Sequence, residues 1–275
     1  MLVLLLLAGC SSTPKSKPQD ATLSRLDHAG DTAFDLEQPD QAVTQYRAAL
    51  ARARTADDAA AIADAGFNLA TAELRAGRPR DALRTAQDLT QGLGRRGIVD
   101  PDFELISATA LFRLDNFPAA ARAANGLTGA KTPALSNAAW FLLGLIADQR
   151  HDRRGLEKAI ASMTSAADPG DLAELQARLA HSAPLALHAA DLRRNQLDYR
   201  GMARALALAA QFTPSAPDAA DLYLRAGRSA AAQGNAADAR AWLGSARVLA
   251  PDTALRTDAE HALHDLSGRS AHGSN

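Results

Sequence analysis

Aromatic residues make up only 4% of this 275-residue chain, it has one cysteine, and its formal net charge is -1. Each scarcity excludes something. With few aromatics and few valines or isoleucines, the chain lacks the residues that fill strands, so a sheet protein is excluded. A lone cysteine, Cys10, excludes an internal disulfide. Beyond the N-terminus the longest apolar run, Ala138 to Ala147, is far short of the ~20 residues that cross a bilayer. Near-neutral charge excludes a generic binder of polyanions, which would be strongly basic. What is abundant is alanine, about a quarter of all residues, in a chain 47% hydrophobic and 22% charged. Alanine is the best helix former, and this apolar content is too high for disorder. The composition predicts an all-α protein, long enough to bury a core without staples.

The apolar run Leu2 to Ala8 ends in Leu7-Ala8-Gly9-Cys10. It is too short to span a membrane and reads as the apolar region and cleavage site of a secretory signal. The tetrad resembles the lipobox of bacterial lipoproteins at all four positions. That resemblance implies a signal peptide over 1–9, cleavage before Cys10, and acylation of the Cys10 sulfur and its new amine. Three acyl chains exceed what stable anchoring needs. The polar segment that follows, SSTPKSKPQD, reads as a flexible tether, so that 10–20 joins lipid to folded domain. In lipoproteins an aspartate after the cysteine is a frequent inner-membrane retention signal. Ser11 stands there, which implies an outer-membrane location facing the periplasm.

From about Leu23, short helical stretches alternate with Gly, Pro, Asn or Asp turns. Small or apolar residues recur twelve positions apart, as Gly30/Ala42, Ala70/Ala82, Ala108/Ala120, Gly144/Leu156, Ala190/Met202 and Gly227/Ala239. A turn signal falls inside every pair, among them Gly77-Arg78-Pro79, Asp115-Asn116 and Gly234-Asn235. Small residues on two antiparallel helices let the backbones approach, the unit of a helical-hairpin solenoid. The pattern resembles the tetratricopeptide repeat (TPR). Its best match is the last unit, with Tyr223, Ala226, Gly227, Ala230, Ala239, Leu243, Ala246 and Pro251; Trp140, Leu143, Gly144 and Ala147 match its opening in the fourth. The resemblance implies a right-handed superhelical solenoid of about six degenerate hairpins over 21–267, closed by a capping helix over Thr253 to Leu266. A disordered tail is expected over 268–275. Successive first-helix small positions lie 40, 38, 36, 46 and 37 residues apart, and the longest interval contains DLAELQARLAH from Asp171, which reads as an extra helix.

Chemistry-bearing patterns are few. Gly92-Leu93-Gly94-Arg95-Arg96-Gly97 fits G-x-G-x-x-G, but a helix precedes it where a dinucleotide site needs a strand, so it reads as a helix C-cap and loop. His261 and His264, and His181 and His188, share helix faces without a third ligand for zinc. The arginine pairs lack the interleaved aromatics of a nucleic-acid surface. The reading is therefore non-catalytic, with no cofactor, no metal, no nucleic acid, no evident small-molecule substrate, and membrane contact through the lipid only. By the TPR resemblance, first helices line a concave groove that takes a protein or peptide partner. Carried over by position, the groove residues are Phe67, Phe112, Arg113, Phe141, Arg194 and Arg228, with Phe34, Leu74, Arg75 and Leu224 beside them. Aromatics and arginines dominate binding hot spots, although Phe112 and Phe141 serve equally well as core. The expected function is a lipid-anchored periplasmic scaffold in envelope or pilus assembly. The alternative is an enzyme or regulator of cell-wall (peptidoglycan) metabolism, which calls for a cluster of titratable groups.

Overall fold

The computed structural model describes residues 20–250 and 253–272. Cys10, the signal segment, the tether up to residue 19 and Pro251 lie outside the described residues. Among those described there are fourteen helices and no strands. Twelve form six antiparallel hairpins: α1 Ala21–Asp35 with α2 Pro39–Thr55, α3 Ala59–Arg75 with α4 Pro79–Gly94, and α5 Asp102–Arg113 with α6 Phe117–Leu127. Next come α7 Pro133–Gln149 with α8 Arg153–Ser162, α10 Ala183–Asn195 with α11 Tyr199–Gln211, and α12 Ala216–Ala232 with α13 Ala236–Leu249. The extra helix expected near Asp171 is α9, Pro169–Ala180, and α14, Thr253–His272, packs on α12 and α13. The fold is an all-α solenoid in which each hairpin packs on its neighbours.

All six hairpin turns share one geometry. Seven residues after each first-helix small position stands a residue with positive φ: Glu37, Gly77, Asp115, His151, Leu197 and Gly234. The next residue's N–H bonds five residues back, as Gln38 to Ala33, Arg78 to Glu73, Asn116 to Leu111, Asp152 to Ala147, Asp198 to Arg193 and Asn235 to Ala230. This is the Schellman ending, which satisfies orphan carbonyls of the first helix. Glycine takes the left-handed position without strain, but only Gly77 and Gly234 are glycines. The second helices then start on side-chain caps in four hairpins, from Asn116, Asp152, Asp198 and Asn235. In the first two hairpins Pro39 and Pro79 take the first helical position, where no N–H is needed.

The small positions sit in the helix crossings. Ala42, Ala70, Ala82, Ala108, Ala120 and Ala239 are fully buried. A Cβ on Gly30 would lie 2.5 Å from the Tyr46 ring, and one on Gly227 would lie 2.6 Å from Cγ of Leu243. Gly144 differs from the others. A Cβ there would come within 2.6 Å of Leu175 on α9, so its smallness admits the inserted helix as well as α8. Met202 is only partly buried and is not a tight crossing residue.

Two boundaries move. Asp20, expected in the tether, instead caps α1, accepting from the N–H groups of Thr22 and Leu23 and from Arg52. The tail expected from residue 268 is helical through His272, continuing α14 past Leu266, which is buried against Ala230 and Ala239.

The array curls back on itself. Arg200, at the start of α11, donates through Nε and Nη2 to Oε2 of Glu37 at 3.0 and 2.8 Å. Its other bonds reach the carbonyls of Arg75 and Gln233. The turns of the first, second and sixth hairpins thus meet at the head of the fifth hairpin's second helix. The approach is close, since a Cβ on Gly234 would lie 3.1 Å from the carbonyl oxygen of Glu37.

Candidate binding surfaces of the first helices

The expected groove residues do not form one cluster. Phe67 is exposed, at 39%. Phe112 is partly buried, with its ring 5.7 Å from that of Phe117 in its own hairpin, against the apolar cluster of Ala108, Ala120, Leu142 and Ile146. Phe141 packs beside Trp140 and Leu145 on a separate cluster around Leu156 and Leu175. Both rings are therefore substantially core. Leu74 and Leu224 are buried outright, because positions that face a groove in a regular array turn inward here. Arg113 turns back along its own array and donates to the carbonyl of Leu74. Arg194 is exposed and paired with Asp191 one turn away. Arg228 is exposed and reaches Asp258 on α14 at 3.2 Å, so it joins the sixth hairpin to its cap. Arg75 lies over the Phe34 ring at 4.4 Å and pairs with Glu37.

What the first three first helices do build together is acidic. Asp27 on α1, Asp64, Phe67 and Asn68 on α3, and Asp100 and Asp102 at the head of α5 line a cleft of about 440 Å³. A second cleft of about 290 Å³ shares Asp27 and continues along α1 past Ser24 and His28 to Asp31. Asp27 and Asp31 are four residues apart and so occupy one helix face. Asp27, Asp64 and Asp102 follow at spacings of 37 and 38 residues, close to the repeat interval.

These carboxylates are not neutralised. Among the described residues none of Asp27, Asp31, Asp64, Asp100 and Asp102 is in an ion pair; Asp31 accepts from the Tyr46 hydroxyl at 2.7 Å. One oxygen of Asp27 is buried without a partner. Burial, then repulsion from Asp31 and Asp64, raises the Asp27 carboxyl above its ordinary range. Burial and then Asp100 do the same for Asp102. The Tyr46 hydroxyl is raised too, first by burial and then by its bond to Asp31. Yet among the described residues no three His, Cys, Asp or Glu side chains converge as metal ligands would. The surface is an extended band of negative charge with one exposed ring in it.

Elsewhere carboxylates meet arginines. Arg178 on α9 pairs with Glu174 and with Asp148, both at 2.8 Å. Arg193 on α10 holds Asp171 and Asp198 and lies near Asp168. These two networks tie the inserted helix to its neighbours. The G-x-G-x-x-G stretch is a helix ending: α4 runs through Gly94, and Gly97 takes φ +74°. Among the described residues no helix is long and apolar enough to cross a membrane.

No protein-family model matches the chain, and no curated protein does. Among solved structures it is similar to a tetratricopeptide repeat protein from Parabacteroides merdae, at 16% identity over 90% of this chain and 99% of that one, with a TM-score of 0.48. It is also similar to Pseudomonas aeruginosa pilF, at 17% identity over 89% and 99%, with a TM-score of 0.44. The TPR2AB domain of yeast Sti1, in a complex with pHSP90, is similar at 14% identity over 89% and 98%, with a TM-score of 0.35. The hairpin architecture described above stands on its own packing.

Proposed function

We propose that this chain is a lipid-anchored scaffold of the bacterial envelope that binds an extended, basic protein segment along α1, α3 and α5. The observation that carries the reading is the cleft in which exposed Phe67 stands among uncompensated carboxylates. A partner's apolar side chain would cover the Phe67 ring, and its lysines or arginines would offset the charge of Asp27, Asp64 and Asp102. Exposed large aromatics amid polar residues are the usual anchors of such interfaces. Anchoring is supported by Leu7-Ala8-Gly9-Cys10, and the reading places the domain on the periplasmic face of the outer membrane, serving envelope or pilus assembly.

Two measurements test it. Wild type expressed from its native start is expected in the detergent-soluble membrane fraction, and Cys10→Ser in a soluble or uncleaved pool; a soluble wild type overturns the anchoring. For the groove, a fluorescent peptide of alternating lysine and leucine is expected to bind the full chain, and an alternating glutamate–leucine peptide is not. Phe67→Ala is expected to weaken the basic peptide by roughly thirtyfold, the ~2 kcal/mol of a central anchor. Equal binding of both peptides, or no effect of Phe67→Ala, overturns the groove.

A further inference from the structure

The turns that close the array leave a second, oppositely charged site. Arg200 is fully engaged there, by Glu37 and by two carbonyls. Arg75 shares Glu37. Two further arginines have no carboxylate partner among the described residues. Arg204 lies one turn beyond Arg200 on α11, on the same face and ~6 Å along it. It is exposed and makes no hydrogen bond or ion pair among the described residues. Arg113 comes in from α5, and its single bond is to the carbonyl of Leu74, a neutral partner. Loss of water around it, then the fields of Arg204 and Arg200, lower its affinity for its own proton; Asp238 alone acts the other way. Arg200 is lowered as well, first by burial, with Arg75 and Arg204 adding to it against the pull of Glu37.

Arg113 and Arg200 donate to the carbonyls of consecutive residues, Leu74 and Arg75, Arg75 and Arg200 share Glu37, and Arg204 stands one turn beyond Arg200, so four guanidinium groups gather here. The carboxylates acting on them are Glu37 and Asp238, and Asp238 accepts from the Asn235 side chain at 2.6 Å. The surplus is two positive charges, carried by two accessible planar forks from different hairpins. One bidentate fork occupies both oxygens of a carboxylate, so a carboxylate serves one arginine well. A tetrahedral dianion has oxygens for both forks and the charge to match, and guanidinium is the side chain suited to it.

We propose that the turn cluster binds a phosphate-class dianion between Arg113 and Arg204, cross-linking the third hairpin to the fifth. The group arrives either as free phosphate or as the phosphate of a larger molecule. This site is separate from the acidic cleft and does not depend on what that cleft binds. Occupancy replaces repulsion between two arginines with a bridge between distant hairpins, so the anion steadies the closed spiral as well as binding to it.

The test is calorimetric titration of the full chain with inorganic phosphate at constant ionic strength balanced by chloride, with glycerol 3-phosphate run in parallel. Saturable binding is expected, weakened at least tenfold by Arg204→Gln and by Arg113→Gln and unchanged in Arg228→Gln. Arg204 is exposed and makes no hydrogen bond or ion pair among the described residues, so Arg204→Gln keeps the test open should Arg113→Gln unfold. Glycerol 3-phosphate binding as tightly as phosphate assigns the site to a phosphate on a larger molecule; tenfold weaker binding assigns it to the free ion. Absence of saturable binding, or binding undiminished in Arg204→Gln, overturns the proposal.

Discussion

Arg200 and Glu37 are 163 residues apart in sequence, and the side chain of one grips the other at 2.8 and 3.0 Å. The closing bonds run from Arg200, in the first turn of α11, to Glu37 and to the carbonyls of Arg75 and Gln233 at hairpin turns. The pair is largely withdrawn from solvent, with side-chain exposures of 15% and 25%. Removing one partner of such a pair strands the other, which is what makes the loss larger than the net worth of the bond.

Arg200→Ala is accordingly expected to open the spiral. It leaves Glu37 with Arg75 alone and frees the carbonyls of Arg75 and Gln233. A loss of about 2–3 kcal/mol in thermal or urea unfolding is expected, below the full cost of a wholly buried pair. X-ray scattering should show a larger radius of gyration. An unchanged radius and melting temperature would sink the closure.

The shared turn geometry gives opposite outcomes at equivalent sites. Leu197 holds φ +61° while 70% exposed, so its side chain gains little packing for the strain. Leu197→Gly is expected to stabilise by about 1 kcal/mol, the usual left-handed penalty of a side chain. Gly234→Ala is expected to destabilise by a similar or larger amount, because φ is +67° and the new Cβ would press on the carbonyl of Glu37. Paired urea melts decide; the same sign for both variants would refute the common turn.

A pH dependence is expected at the inserted helix. Burial pushes the Asp171 carboxyl up to about 6, against the pull of Arg193, which also faces Asp168 and Asp198. A carboxyl raised in the native state binds its proton more tightly folded than unfolded. Its contribution is therefore present below pH ~4 and lost as pH rises through about 6. Over that window the wild type should lose up to about 3 kcal/mol from this group. Asp171→Asn has no such proton to lose, and its melting temperature should fall less between pH 4.5 and about 7. Parallel profiles for the two proteins would remove Asp171 as the source.

The local pattern of the chain decided the helices and the hairpins. Alanine content set the class, and the twelve-residue pairs from Gly30/Ala42 to Gly227/Ala239 placed five of six crossings, because a crossing needs small residues at positions that period and turn length dictate. The extra helix from Asp171 was readable from the longest interval between small positions, which leaves room for one more helix. Turns closed by Glu37, Asp115, His151 and Leu197 were readable as turns, but not as one motif, since only the packed array holds non-glycine residues at positive φ. Groove positions transferred from a regular array failed where irregular spacing turns Leu74 and Leu224 inward and commits Arg228 to α14. The acidic band left a faint trace in the spacing of Asp27, Asp64 and Asp102, which only the side-by-side packing of α1, α3 and α5 turns into a cleft. Closure by Arg200 left no trace at all. Its partners lie on three other segments, and the distance between them depends on the curvature accumulated over the whole array, which no local stretch of sequence encodes.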